Sequence, residues 1–293
     1  MTAANPPSTP IAMSKSAALS RVLDLAVRGY HFYCSGQCPA RRLVALAQKF
    51  HDGYGIACSP GQRILRKRQG MANAALVMYL RPDRTADTMP EETTGKPPCP
   101  ASLESSAERQ PGAQLDASMA HVEAPGLISA REALEHTQGT KRLTLEDVLR
   151  NISPDTPVEW LLMATAGAGP VHEQERLRCI TDKHRLRFCG YELVRHSVGQ
   201  KSTWTFRRTK EEMASLYALL GEQLKRRHMS RVAESLQRIA RQPGFAGVRE
   251  QSKTLCQFAR QKGYEGELPF LFFIQKLSHG ERLVLRSGRD WRH

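Results

Sequence analysis

Apolar residues recur at helical and strand spacings in two blocks, separated by a long stretch with no such period. Residues 1–13 (MTAANPPSTPIAM) hold three prolines and no repeat, and predict a disordered lead. Over Ser14–Arg28 the residues Leu19, Val22, Leu23 and Ala26 share a helical face, and Gly29 closes the helix. The short aromatic run Tyr30–Cys34 predicts a strand. Leu43, Leu46, Ala47 and Phe50 mark a second helix over Pro39–Phe50, with Pro39 in its first turn. A shorter third helix carries complete local punctuation: Ser59 as N-cap, Pro60 at N1, Gln62 as capping-box partner and Gly70 as terminator. Ala74–Leu80 is continuously apolar and predicts a buried strand.

Pattern resumes at Leu143, with Thr144 as an N-cap and a Leu143–Val148 hydrophobic staple. Val158–Ala164 predicts a strand and Glu173–Thr181 a short helix. Leu186–His196 and Ser202–Arg208 predict a hairpin, with Gly199 between them. Thr209 and Glu212 form a capping box before Met213, Leu216, Leu220 and Leu224. Val232, Leu236 and Ile239 mark a further helix, stopped by Pro243-Gly244, and Val248, Leu255 and Ala259 a last one ending near Gly263. The apolar run Leu268–Ile274 then precedes a basic tail. The expected fold class is α+β: a small mixed or antiparallel sheet built from two halves (14–81 and 127–208) around a disordered insertion (82–126). A helical C-terminal region (209–293) follows. Two small separate domains are the alternative, disfavoured because two strands make a poor sheet alone.

Charge sharpens this division. The chain carries 43 Lys and Arg against 29 Asp and Glu, a net of +14. From Pro82 to Gly126 there are eight acids and three bases, so this acidic linker is −5 and the rest of the chain +19. A surplus of that size on the foldable parts points to a polyanion, most often nucleic acid. Seven cysteines form no regular framework and their number is odd, which fits reduced thiols in a cytoplasmic protein. No window is apolar enough for a membrane span and no signal peptide is evident, so no membrane partner is expected.

The densest basic cluster is Arg63, Arg66, Lys67 and Arg68 on the capped helix, with Ile64 and Leu65 expected to face inward. Such a face could lie along phosphates, with Gln69 or Asn73 near a base edge, or simply be solvated. Arg227, Arg231, Arg238 and Arg241 follow roughly helical spacing. On the next helix Arg249, Lys253 and Arg260 fall on one side, so two basic stripes suit a backbone-tracking surface. Tyr191 and Trp204 lie on consecutive predicted strands, flanked by Arg195, Arg207 and Arg208, and could stack on bases or belong to the core.

The sequence holds no recognisable catalytic motif. His172, Cys179, His184, Cys189 and His196 alternate, but at spacings that match no common zinc pattern. Gly167-Ala168-Gly169-Pro170 lacks the Lys-Ser/Thr of a P-loop and reads as a turn. Asp155, Glu159, Glu173, Glu175 and Glu192 are scattered along the sequence, and no His-x-His pair accompanies the tyrosines. No catalytic residue, metal or cofactor is expected.

Three blocks resemble proteins of bacterial conjugative plasmids and integrative conjugative elements. They are Gly29–Tyr33 with Leu46–Phe50, Cys189–Val194 with Thr203–Thr205, and Pro243–Gln251. The resemblance implies a mobile-element setting, in replication, transfer or their control, and assigns no reaction. The leading expectation is a nucleic-acid-binding accessory protein, DNA favoured over RNA. A bridging component that docks protein partners in a replication or transfer complex is the second. A divergent metal-dependent nuclease, tested at Glu192, is the third.

Overall fold

A computed structural model describes residues 7–81, 149, 152–198, 201–273 and 280–286. The acidic linker and the Thr144 cap lie outside them. Ordered structure begins earlier than the prolines suggest, because Ser8–Ala12 form strand β1. Thr9, Ile11 and Ala12 are buried there. This strand lies between β3 (Ala74–Leu80) and β9 (Glu281–Val284). It registers with β3 only at Ile11 and Ala12, past Pro10, whose missing N–H would break a longer ladder. Strand β1 thus forms through its partners, and the disordered lead expected over 1–13 is corrected at 8–12.

Helix α1 (Lys15–Val27) starts where the Ser14 hydroxyl accepts from the Ala17 N–H, and it buries Leu19, Val22, Leu25 and Ala26. β2 (Phe32–Pro39) extends the predicted aromatic strand, so Pro39 ends a strand rather than opening a helix. A single 3₁₀ turn (Ala40–Arg42) leads into α2 (Leu43–Tyr54), which stops at Gly55 in the left-handed region. α3 (Pro60–Arg68) shows both hydrogen bonds of the Ser59–Gln62 capping box. β4 (Pro157–Ala164) opens the second block.

β4 joins the halves. It pairs antiparallel with β2 from Phe32↔Ala164 to Pro39↔Pro157, and with β3 from Ala74↔Ala164 to Leu80↔Val158. With β5 (Arg178–Cys179) at one edge, the six-stranded sheet runs β5-β2-β4-β3-β1-β9, mixed because β1 and β3 are parallel. Two separate small domains are therefore overturned: each half leaves the other's strands unpaired. Alternation divides the core between the faces. Ala75, Val77, Tyr79, Leu161 and Met163 pack with α1, while Leu76, Met78, Leu80, Val158 and Leu162 pack with α2.

The helix expected over Glu173–Thr181 is instead α4 (Pro170–Gln174) followed by β5 (Arg178–Cys179), which pairs with Phe32 and Tyr33. Pro170 sets the start of α4 three residues earlier than the pattern implied. A second, three-stranded antiparallel sheet holds β6 (Arg187–Phe188), β7 (Tyr191–Val198) and β8 (Lys201–Arg208). It packs through Tyr191, Leu193 and Phe206 into the core shared with α1.

Helices α5 (Lys210–Lys225), α6 (Met229–Ala240) and α7 (Ala246–Gln261) have their own core of Leu220, Leu224, Val232, Leu236, Ile239, Leu255 and Ala259. Helix α7 covers the free edge of β8. The Gln251 amide donates to Arg208 O at 3.1 Å and accepts from Arg208 N at 2.7 Å, as a neighbouring strand would. At Gly247 the helix comes so close that a Cβ would lie 2.7 Å from Phe206 O. The C-terminal region is thus not wholly helical, since β9 returns beyond it to pair with β1.

Candidate nucleic-acid interface

The basic helix α3 is turned the opposite way from its amphipathic reading. Ile64 and Leu65 are 56% and 55% exposed, while Arg63 and Arg66 point under the helix. Arg63 donates through Nε to Cys58 O (3.0 Å), through Nη2 to Ile56 O (3.1 Å) and through Nη1 to Tyr30 Oη (2.9 Å). Arg66 Nη1 donates to Tyr54 O at 3.0 Å. The turn beneath α3 presents carbonyls rather than an apolar slot, and long guanidiniums are the side chains that satisfy them. Asn73 is likewise engaged, its amide donating to Arg63 O at 3.0 Å. Burial, with the nearby Arg63 and Arg28, holds the Arg21 guanidinium below its ordinary range. Of the four sequence candidates here, Lys67 and Arg68 stand exposed.

Tyr191 and Arg208 belong to the interior. Arg208 is fully buried and donates to Gln242 Oε1 (2.6 Å), Val248 O (3.1 Å), Ile239 O (3.2 Å) and Ser252 Oγ (2.9 Å). It ties the end of α6 to α7, and burial lowers its pKa. Tyr191 donates to the same Gln242 oxygen at 3.3 Å, and burial pushes its hydroxyl up to about 12. Neither can reach a phosphate or a base. Trp204 is half-buried against the α1 core. Its cross-strand neighbour Arg195 lies 4.8 Å from the ring centroid, which occupies it as a stacking group.

Arg207 is committed as well. It pairs at 3.4 Å with Glu192, a buried carboxylate that also meets Arg187 at 3.0 Å and Arg185 at 3.5 Å. Beside it, between the β7–β8 hairpin and α7, runs a groove of about 310 Å³ lined by Arg195, His196, Arg207, Glu250, Gln251 and Thr254, among others.

On the helices Arg227 sits at the α5–α6 turn with φ of 54°, exposed, and Arg231 and Lys253 are also exposed. Arg249 turns towards the segment after α7. Its Nε donates to Leu271 O at 3.3 Å and its Cζ lies 3.3 Å from the Phe273 centroid. That segment holds a feature the sequence reading passed over as an apolar run: Phe270, Phe272 and Phe273 are 68%, 62% and 68% exposed. The signal was the absence of any alternation or helical period in Pro269-Phe-Leu-Phe-Phe.

Several groups that could do chemistry have structural partners. Tyr54 donates to Glu175 at 2.7 Å, and burial raises the Tyr54 hydroxyl and pushes the nearby Cys34 thiol up to about 12, so neither is an activated nucleophile. Asp155 pairs with Arg41 at 2.8 Å, and Glu159 accepts the Cys189 N–H at 3.1 Å. The Gly167–Gly169 turn clips the halves together: Ala168 N donates to Gly70 O (3.0 Å) and Ala72 N to Ala168 O (2.9 Å). Among the described residues no three His, Cys, Asp or Glu side chains converge to hold a metal ion, and no helix is long and apolar enough to cross a membrane. The chain matches no protein-family model, no curated protein and no solved structure.

Proposed function

We propose that this protein binds nucleic acid through the phosphate backbone and performs no reaction on it, as an accessory factor of a bacterial mobile element. The observation that carries the reading is how its cations divide. Arg63, Arg66, Arg207 and Arg208 are used by the fold, whereas Lys67, Arg68, Arg227, Arg231 and Lys253 are exposed and make no ion pair among the described residues. Exposed, unpaired cations on helices are what neutralises phosphates and releases counterions. The mobile-element setting rests on the resemblance alone.

Fluorescence anisotropy with nuclease-treated protein tests this, using equal-length single-stranded DNA, duplex DNA and RNA at several salt concentrations. The reading expects binding that weakens steeply with salt, and DNA preferred over RNA. Absence of binding at low salt removes it. A second reading, docking of a protein partner, is favoured by the exposed Ile64 and Leu65 beside Lys67 and Arg68. It expects co-purification of a protein that survives nuclease treatment and is lost in Ile64→Ser/Leu65→Ser.

A further inference from the structure

Three phenylalanines within four residues, each about two-thirds exposed, are unusual on a water-facing surface and mark an interaction site. We propose that Phe270 and Phe272, beside Phe273 and the Arg249 guanidinium it carries, form a stacking strip for the bases of a single-stranded nucleic acid, an inference that rests on the nucleic-acid reading above.

The strip is held in place rather than left loose. Leu268, just before it, packs on the three-helix core, and Leu271 O accepts from Arg249 Nε. Phe270 and Phe272 meet edge to face with centroids 4.9 Å apart, which leaves ring surface open on both. Phe273 carries the Arg249 guanidinium at 3.3 Å from its centroid.

Charge selects the occupant. From Arg249 to Phe273 the chain carries four cations (Arg249, Lys253, Arg260, Lys262) and three acids (Glu250, Glu265, Glu267), and on α7 itself Glu250 is the one acid against Arg249, Lys253 and Arg260. At 100° per residue Glu250 turns towards the hairpin groove, which it lines, while Lys253 stays within about 40° of Arg249. An apolar protein surface laid over the rings would bury the Arg249 guanidinium without a counter-charge. A nucleic acid covers rings and cation together, bases on the former and phosphates on the latter. The strand must be single, because bases stacked inside a duplex offer no free face.

The test uses the full chain and two labelled single-stranded oligonucleotides of equal length, one ordinary and one abasic throughout, read by anisotropy. Stacking is expected to favour the ordinary strand about tenfold or more in the native protein. Phe270→Ala/Phe272→Ala should abolish that preference while leaving abasic binding and the salt slope unchanged. Circular dichroism and the urea midpoint should not move, since both rings are exposed. Phe270→Trp should keep the preference, with indole fluorescence quenched by the ordinary strand and not by the abasic one. Equal affinity for both strands in the native protein, or a preference that survives the double alanine change, overturns the strip and leaves the phosphate reading standing. Binding to neither strand overturns both. A double alanine variant that changes oligomeric state but not strand preference also overturns the proposal, assigning the strip to contact between copies of the chain.

Discussion

Replacing Arg208 by alanine separates a structural arginine from a phosphate ligand. The native side chain is fully buried, and its guanidinium is a partner of Ile239 O at the end of α6, of Gln242 Oε1 and of Ser252 Oγ. Ile239 O lies in the last turn of its helix and also accepts from Gln242 N at 3.4 Å. Ser252 keeps its own bond to Val248 O at 2.9 Å and Gln242 Oε1 keeps the Tyr191 hydroxyl at 3.3 Å, so the substitution removes four hydrogen bonds from groups that each keep another partner. Each of the four bonds contributes about 0.5–1.5 kcal/mol net, which gives about 2–6 kcal/mol together. Relief of guanidinium desolvation pulls the net towards the lower half, and we expect about 3 kcal/mol. Arg208→Lys keeps the charge but not the fork of donors, and should recover less than half of the loss. Urea unfolding followed by circular dichroism measures both. Stability within 1 kcal/mol of the native protein, together with weakened oligonucleotide binding, would refute the reasoning and return Arg208 to the binding surface.

Three further outcomes follow from the packing. Burial lowers the His51 pKa against the opposing pull of Asp52, and its Nδ1 is buried without a hydrogen-bond partner. His51 should therefore contribute stability that is complete above about pH 6.5 and lost as pH falls through its lowered folded value; His51→Gln should flatten the urea midpoint between pH 5 and 7. Gly247→Ala drives a methyl to 2.7 Å from Phe206 O, and should cost about 1–3 kcal/mol with loss of hydrogen-exchange protection along β8. Glu192→Gln leaves Arg185, Arg187 and Arg207 facing one another; with those partners part-exposed, a loss of about 1–3 kcal/mol is expected. If the same variant instead lost a magnesium- or manganese-dependent cleavage at full stability, the nuclease reading would return.

Elements with local evidence were legible in the sequence. The Ser59–Gln62 capping box, the α1 start at Ser14, the wholly buried run Ala74–Leu80 and the β7–β8 hairpin all formed near their predicted positions, because caps and periodicity act within a few residues. Strands β1 and β9 were not, since a Pro-rich segment and a basic tail become strands only by pairing with each other and with β3. The candidate site divided in the same way. Charge is visible in the sequence, but whether a cation meets water or a carbonyl depends on what the fold brings beneath it. Arg63 and Arg66 met the carbonyls of the 54–58 turn, and Arg208 met α6 and α7, so half of the basic cluster on α3 went inward and its aliphatic residues outward. The Phe strip escaped notice for the converse reason: an apolar run is expected to be buried, and only the fold leaves these rings exposed.

The most direct test of the account compares salt slopes for two sets of variants on the same single-stranded oligonucleotide. Alanine at Lys67, Arg68, Arg227, Arg231 and Lys253, added one at a time, should flatten the slope by about 0.7 per cation without moving the urea midpoint. Substitution of the inward Arg63 and Arg66 should lower the midpoint and leave the slope of the remaining folded protein unchanged. If the exposed set leaves the slope at its native value, those cations do not meet phosphate and the proposed function falls.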